Sequence, residues 1–353
     1  KKKYKEQSLE MSTDLRSPFL NDPEIPDEQF DRISDGKSQQ NRFIGFVGLV
    51  VSVIAYGSVI PFTASLPAEG FVLKVSWRFL GCLLVFTPLA LSCRKPDGNR
   101  WTLREIFFEG YTVLIQLAGL IWILWMFSLL YSCALYSYMI GELFGNLTPV
   151  FVVAYRFVTG HSVKKLEFVG LAVTLFGGCL TLLSPQETES VSSGTMILAI
   201  VLATFAAVCW SGYLLITEKL GETLPTDIVV FATTFSGYIL ISALTLIFEN
   251  SEFSFHPHRG LFGLLAWENS YALILLMLIG IVAMRGFMMA VKHLGSLIVA
   301  VGYLVAPIIV AIESYFLGLD EFPTLGAWIS AGVISLGLYI VIRGHNKEEQ
   351  KDQ

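Results

Sequence analysis

Residues 111–130 read YTVLIQLAGLIWILWMFSLL, twenty consecutive positions without an ionisable acid or base. A helix needs ~20 mostly apolar residues to cross the hydrocarbon core of a bilayer. Stretches of comparable length and character occupy 43–62, 71–91, 135–157, 165–184, 194–216, 226–248, 270–291, 295–317 and 323–342. Inside lipid each span must satisfy its own backbone hydrogen bonds, and these runs are about twice as long as the ~10-residue strands of a membrane barrel. The expected fold is therefore an all-α membrane protein with ten transmembrane helices.

Charge orders these spans. Arg94, Lys95, Arg100 and Arg104 lie after the second span, Arg156, Lys164 and Lys165 around the end of the fourth, Lys219 after the sixth and Lys292 after the eighth. Together with Lys37 and Arg42 before the first span and Arg343, Lys347 and Lys351 after the last, these make fourteen basic residues on one side, against Arg259 in the long seventh gap. Positive charge stays cytoplasmic. The bias predicts an integral, multi-pass protein with both termini in the cytosol, and leaves plasma membrane and endomembrane equally open.

With 54% hydrophobic and 15% charged residues, the chain has room for one ten-helix unit and no sizeable soluble domain. Residues 1–42, with Pro18, Pro23, Pro26 and scattered acids, bury too little apolar surface to fold alone and read as a disordered cytosolic tail. They contain no short apolar signal-peptide core, so the first helix would act as an uncleaved signal-anchor. Met11 is a plausible start, and residues 1–10 carry no weight. Residues 343–353 read as a C-terminal cytosolic tail.

The two halves, 43–184 and 194–342, echo each other. Pro149-Val150-Phe151-Val152 leads to Gly160 and Pro307-Ile308-Ile309-Val310 leads to Gly318, eleven residues from Pro to Gly in both. The matches fall in span four of five and span nine of ten. Five is odd, so the second set would enter the membrane in the opposite sense, the inverted repeat of many secondary transporters.

Trp77-Arg78-Phe79, Ala134-Leu135-Tyr136, Leu147-Thr148-Pro149-Val150-Phe151 and Ala306-Pro307-Ile308 together resemble the drug/metabolite transporter superfamily, specifically its EamA-type ten-helix members. The resemblance covers about residues 43–343. It departs where such proteins often carry Gly-Glu after the fourth helix, since this chain reads Gly160-His161 and, in the second half, Gly318-Leu319. It implies a cavity lined chiefly by helices three, four, eight and nine, and it names no cargo.

An ionisable side chain within a span costs ~2.5–3.5 kcal/mol on insertion scales and so marks a partner or a wet cavity. Arg78 and Glu142 lie at similar depth, which permits either a structural salt bridge or a coupling in which Glu142 meets a proton or the substrate. Arg285 lies deeper in the eighth span with no acid clearly matching it, which suits a carboxylate or phosphate of a substrate, or snorkelling to the headgroups. Tyr138, Asn146, Tyr303, Gln116 and Trp210, with Tyr56, Trp122 and Ser211, suit a pocket of apolar walls with a few oriented hydrogen bonds, or helix-packing glue.

His256 and His258 flank Pro257 without companion ligands, the five cysteines show no paired spacing, and no nucleotide-binding, zinc-protease or hydrolase motif is found. No enzyme activity, cofactor or metal is expected. The reading is a secondary transporter that moves a small organic metabolite by alternating access. Its partners would be the lipid bilayer, the small-molecule substrate and a proton or counter-substrate, with no nucleic acid and with a homodimer left open. Alternatives are a nucleotide-sugar or sugar-phosphate exchanger of the endomembrane system, and a receptor or scaffold that does not transport.

Overall fold

The two prolines at the centre of the internal repeat break their spans in the same way. In the first half, α5 (Tyr138–Gly145) stops at Asn146 and α6 (Thr148–Val158) begins with Pro149 in its first turn. In the second, α11 (Ser296–Gly302) passes through a 3-10 turn, Tyr303–Val305, into α12 (Ala306–Phe316), with Pro307 in the first turn. Proline has no N–H and its ring clashes with the carbonyl four residues back, so inside a helix it kinks or breaks the run. Both α6 and α12 are 11 residues long. Each is followed two residues later by a left-handed glycine, Gly160 at φ 78° and Gly318 at φ 68°, the C-terminal stop that glycine adopts without a Cβ penalty.

The computed structural model describes residues 43–349 apart from 96–97, 109–110, 161–164, 184–192, 250 and 323. The expected N-terminal tail, 1–42, lies outside the described residues. Around the broken segments stand α1 (Phe43–Ala64), α2 (Phe71–Ser92), the short α3 (Leu103–Phe108), α4 (Thr112–Leu135), α7 (Lys165–Leu183), α8 (Ser193–Gly221), α9 (Thr226–Phe248), α10 (Ser270–Leu294) and α13 (Leu325–Glu349). Among the described residues no strand is formed, only two isolated bridges. The last helix runs past the expected end at 342, through Arg343 to Glu349, so much of the expected C-terminal tail is helical.

Among the described residues, seven segments are long and apolar enough to cross a membrane: Phe43–Ala64, Phe71–Ser92, Thr112–Leu135, Gly194–Gly221, Thr226–Phe248, Trp267–Leu294 and Ile298–Phe316. Of the other three expected spans, 135–157 is divided between α5 and α6, 165–184 is the helix α7, and 323–342 contains the shorter apolar stretch Trp328–Val341. Val113, Phe168, Phe176, Ile197, Val201 and Ile247 are exposed, an apolar exterior of the kind lipid covers.

Small residues set the closest helix approaches. A Cβ on Gly170 of α7 would lie 2.6 Å from the carbonyl oxygen of Gly337 in α13, and one on Gly337 would lie 2.7 Å from that of Gly170. In α4, a Cβ on Gly119 would lie 2.9 Å from the backbone nitrogen of Gly237 in α9. Serines fasten two further pairs: Ser132 of α4 donates to the Ala199 carbonyl of α8 at 2.7 Å, and Ser52 of α1 donates to the Ala283 carbonyl of α10 at 2.9 Å.

Candidate functional site

Trp122 with Trp125 in α4, and Trp210 with Tyr213 in α8, each stand three residues apart and therefore share a helix face. The two faces meet. Trp125 and Trp210 have ring centroids 4.7 Å apart, Trp122 and Tyr213 5.4 Å, and Trp210 stacks on Tyr213 at 5.1 Å. Tyr56 of α1 closes against Trp125, Trp210 and Tyr303 at 5.4, 5.3 and 4.6 Å. Phe79 of α2 packs on Trp122 at 4.7 Å and Phe287 of α10 packs on Trp210 at 5.2 Å. Five helices and the 3-10 turn thus converge on one buried aromatic cluster, and Ser52 ties it down by sharing a hydrogen bond with the Tyr303 hydroxyl.

Two buried ionisable side chains flank this cluster. Glu142 in α5 is fully buried, accepts from Asn146 Nδ2 at 2.7 Å through Oε2, and leaves Oε1 without a partner. Arg78 in α2 is 4% exposed and donates from Nη1 to Cys82 Sγ at 2.7 Å. The Arg78–Glu142 salt bridge, one of the two readings of this pair, is not formed: each makes one side-chain bond about a turn along its own segment, Arg78 to Cys82 and Glu142 to Asn146. Trp210 Nε1 is a second buried polar atom without a partner. An unsatisfied buried acceptor and donor each cost ~1–3 kcal/mol, and a solute supplying a donor to one and an acceptor to the other would recover that cost.

Asn146, Tyr303 and Trp210 are therefore part of this centre. Tyr138 is half-buried at the start of α5, where its amide donates to Asp320 Oδ2 at 3.0 Å. Gln116 is on the exposed face of α4, away from the cluster. Arg285 is not the unmatched charge expected from the sequence: its Nε and Nη2 donate to Asp227 Oδ1 and Oδ2, both at 3.0 Å. The partner is 58 residues away, in the first turn of α9, and only the packing of α9 on α10 brings it within reach. With the Arg285 side chain 48% exposed and that of Asp227 13% exposed, this is a bidentate pair at the margin of the molecule.

Sequence reasoning missed Trp125, Tyr213, Phe79 and Phe287. The i, i+3 spacing of the first two with Trp122 and Trp210 was the available signal, while Phe79 and Phe287 carry none that separates them from the other 24 phenylalanines, the chain holding 26.

Access to the cluster differs between its two ends. Thr217, one turn from Tyr213, and Met288, beside Phe287, line a cavity of about 490 Å³ that also touches Glu218, Lys292, His293 and Gly295. This cavity lies at the end carrying the basic gaps. At the other end the turn between α1 and α2 is covered by residues 251–269: Glu69 pairs with Arg259, the Glu69 amide donates to the His258 carbonyl at 3.0 Å, and Trp77 Nε1 donates to the Gly260 carbonyl at 3.1 Å.

A helical membrane protein with a buried aromatic and charged centre shared by many helices is the class defined so far. Residues 197–343 match the family model described as the EamA-like transporter family, part of the drug/metabolite transporter superfamily. Its members are membrane transporters of small solutes. A solved structure described only as a crystal structure of a protein is similar over 88% of this chain and 99% of its own, with a TM-score of 0.61 at 17% identity, a likeness of fold alone. No curated protein sequence matches significantly.

Proposed function

We propose that the chain is a secondary transporter with ten spans in two inverted five-helix repeats, 43–184 and 194–342, which moves a small organic metabolite by alternating access. The observation that carries this reading is the symmetry of the helix contacts. Exchanging the first five spans for the last five turns several contacts into others that are present. Ser132–Ala199, between spans three and six, becomes Ser52–Ala283, between spans eight and one. Gly119 against Gly237, between three and seven, becomes Gly280 against Cys82, between eight and two. The Ser211 hydroxyl donating to the Thr148 carbonyl at 3.2 Å, between six and four, becomes Gly57 against Ile309, between one and nine. The pairs α2–α9 and α7–α13 map onto themselves. Such a scheme belongs to two alike halves rocking about a central site.

In this reading Glu142, Asn146, Trp210, Tyr303 and Arg78 form the substrate centre, with Tyr138 at its approach. Glu142 accepts a donor of the solute, or a proton in its place, and energy comes from exchange or from a proton gradient. Both termini lie in the cytosol. Arg285 ties α10 to α9 and stands away from the centre.

A thermal-shift screen of amino acids, nucleotide sugars and organic cations on the purified protein tests the site. The reading expects at least one solute to raise the melting temperature of wild type but not of Glu142→Gln. A solute that stabilises Glu142→Gln and Trp210→Phe as much as wild type would remove the central site.

A further inference from the structure

Three carboxylates at one end of the molecule accept hydrogen bonds from the opposite repeat. Glu249, at the end of α9, takes the amides of Val72 and Leu73 at 2.7 and 2.9 Å and so caps the N-terminus of α2. Asp320, after α12, takes the Ser137 hydroxyl at 2.8 Å and the Tyr138 amide at 3.0 Å, capping α5. Glu313 of α12 takes the Ser58 hydroxyl of α1 at 2.7 Å. Carboxylates on helix N-termini gain from both the charge-assisted hydrogen bond and the helix dipole. At the cavity end, by contrast, Asp227–Arg285 and Glu218–Ser296 are ties within the second repeat.

Two details give this arrangement the form of a releasable contact. Gly70 leaves room for the Glu249 carboxylate, since a Cβ there would lie 1.9 Å from Oε2. Beside Glu249 lies a cavity of about 440 Å³, lined also by Glu69, His258 and Arg259, from which water can take over the carboxylate's bonds when it leaves α2. Near Asp320 sits Cys133, 2% exposed, its thiol 3.7 Å from the carbonyl of Tyr138, the residue whose amide Asp320 holds.

We propose that Glu249, Asp320 and Glu313 form a clasp that holds the two repeats shut at the end carrying residues 65–70 and 251–269, and that their release opens the way past Cys133 to Glu142 and the aromatic cluster. The proposal rests on the two-repeat reading above. It makes the described conformation the one closed at the clasp, with the 490 Å³ cavity marking the opposite approach.

Cys133 supplies the probe. The full chain with Cys133 as its sole cysteine, purified in nanodiscs, is treated with a water-soluble maleimide, and a chain with Cys209 alone is treated in parallel. The clasp predicts that Glu249→Gln with Asp320→Asn speeds Cys133 modification about tenfold or more while the Cys209 rate stays near its parent value. Gly70→Ala, which evicts the Glu249 carboxylate without removing its charge, speeds it too. An unchanged Cys133 rate, or equal acceleration at Cys133 and Cys209 as in general loosening, overturns the clasp. The two readings fail apart: absent solute flux with Cys133 still accelerated removes transport and leaves the clasp, whereas normal flux with an unchanged Cys133 rate removes the clasp alone.

Discussion

Arg285 and Glu142 carry the same lesson with opposite outcomes. An ionisable side chain within a span is costly alone, and the sequence offers many candidate partners but no distances. Arg285 finds Asp227 in another helix, whereas Glu142 finds only Asn146 in its own and keeps one oxygen free. If Arg285 acts through Asp227, Asp227→Asn and Arg285→Lys reduce stability alike, and a double-mutant cycle gives a coupling of about 1 kcal/mol, as for a partly exposed bidentate pair. Were Arg285 instead to hold the solute, Asp227→Asn would leave solute binding intact and Arg285→Lys would not. Glu142→Gln keeps the bond to Asn146 and loses the charge, so its expected effect is on solute binding, with expression and melting temperature close to wild type. Melting curves with and without solute separate these outcomes. The mid-depth polar residues were legible as a set because so few exist in the spans. Which of them meet was not, since Gln116 and Trp210 look alike in a list of polar or aromatic positions and differ only in the face they occupy.

Helix by helix, most of the architecture was written in the chain. Apolar runs marked the spans, and Pro149 and Pro307 with their trailing glycines marked the breaks. What the runs concealed is that the fourth span divides ahead of Pro149 into two short helices, α5 and α6, each below the length of a membrane-crossing helix although its residues were read as apolar. Glycine spacing in α7 and α13 was visible too, but its partner was not. The contact it makes gives a sharp test: Gly170→Ala forces a Cβ against the Gly337 backbone, which cannot yield as a side chain would, and should cost about 1–3 kcal/mol. Gly178, eight residues on in the same helix, meets nothing within 4 Å, and Gly178→Ala should leave the melting temperature unchanged or raise it. Equal losses at the two positions would mean that the α7–α13 approach is not as close as described.

At the scale of the whole molecule, the charge bias and the contact symmetry make one claim, that two like halves face opposite ways around a shared centre. Protease protection or thiol accessibility at Lys37 and Lys347 should find both on one side of the membrane, and opposite sides would remove the even number of spans. The claim of transport by alternating access is tested most directly by counterflow in proteoliposomes, using a solute that the thermal-shift screen identifies. Alternating access predicts that labelled solute enters faster when the same unlabelled solute fills the lumen, because the loaded protein returns, and that Glu142→Gln, inserted to the same level, falls to the protein-free background. Entry no faster than in protein-free liposomes, or entry indifferent to solute in the lumen, would contradict it.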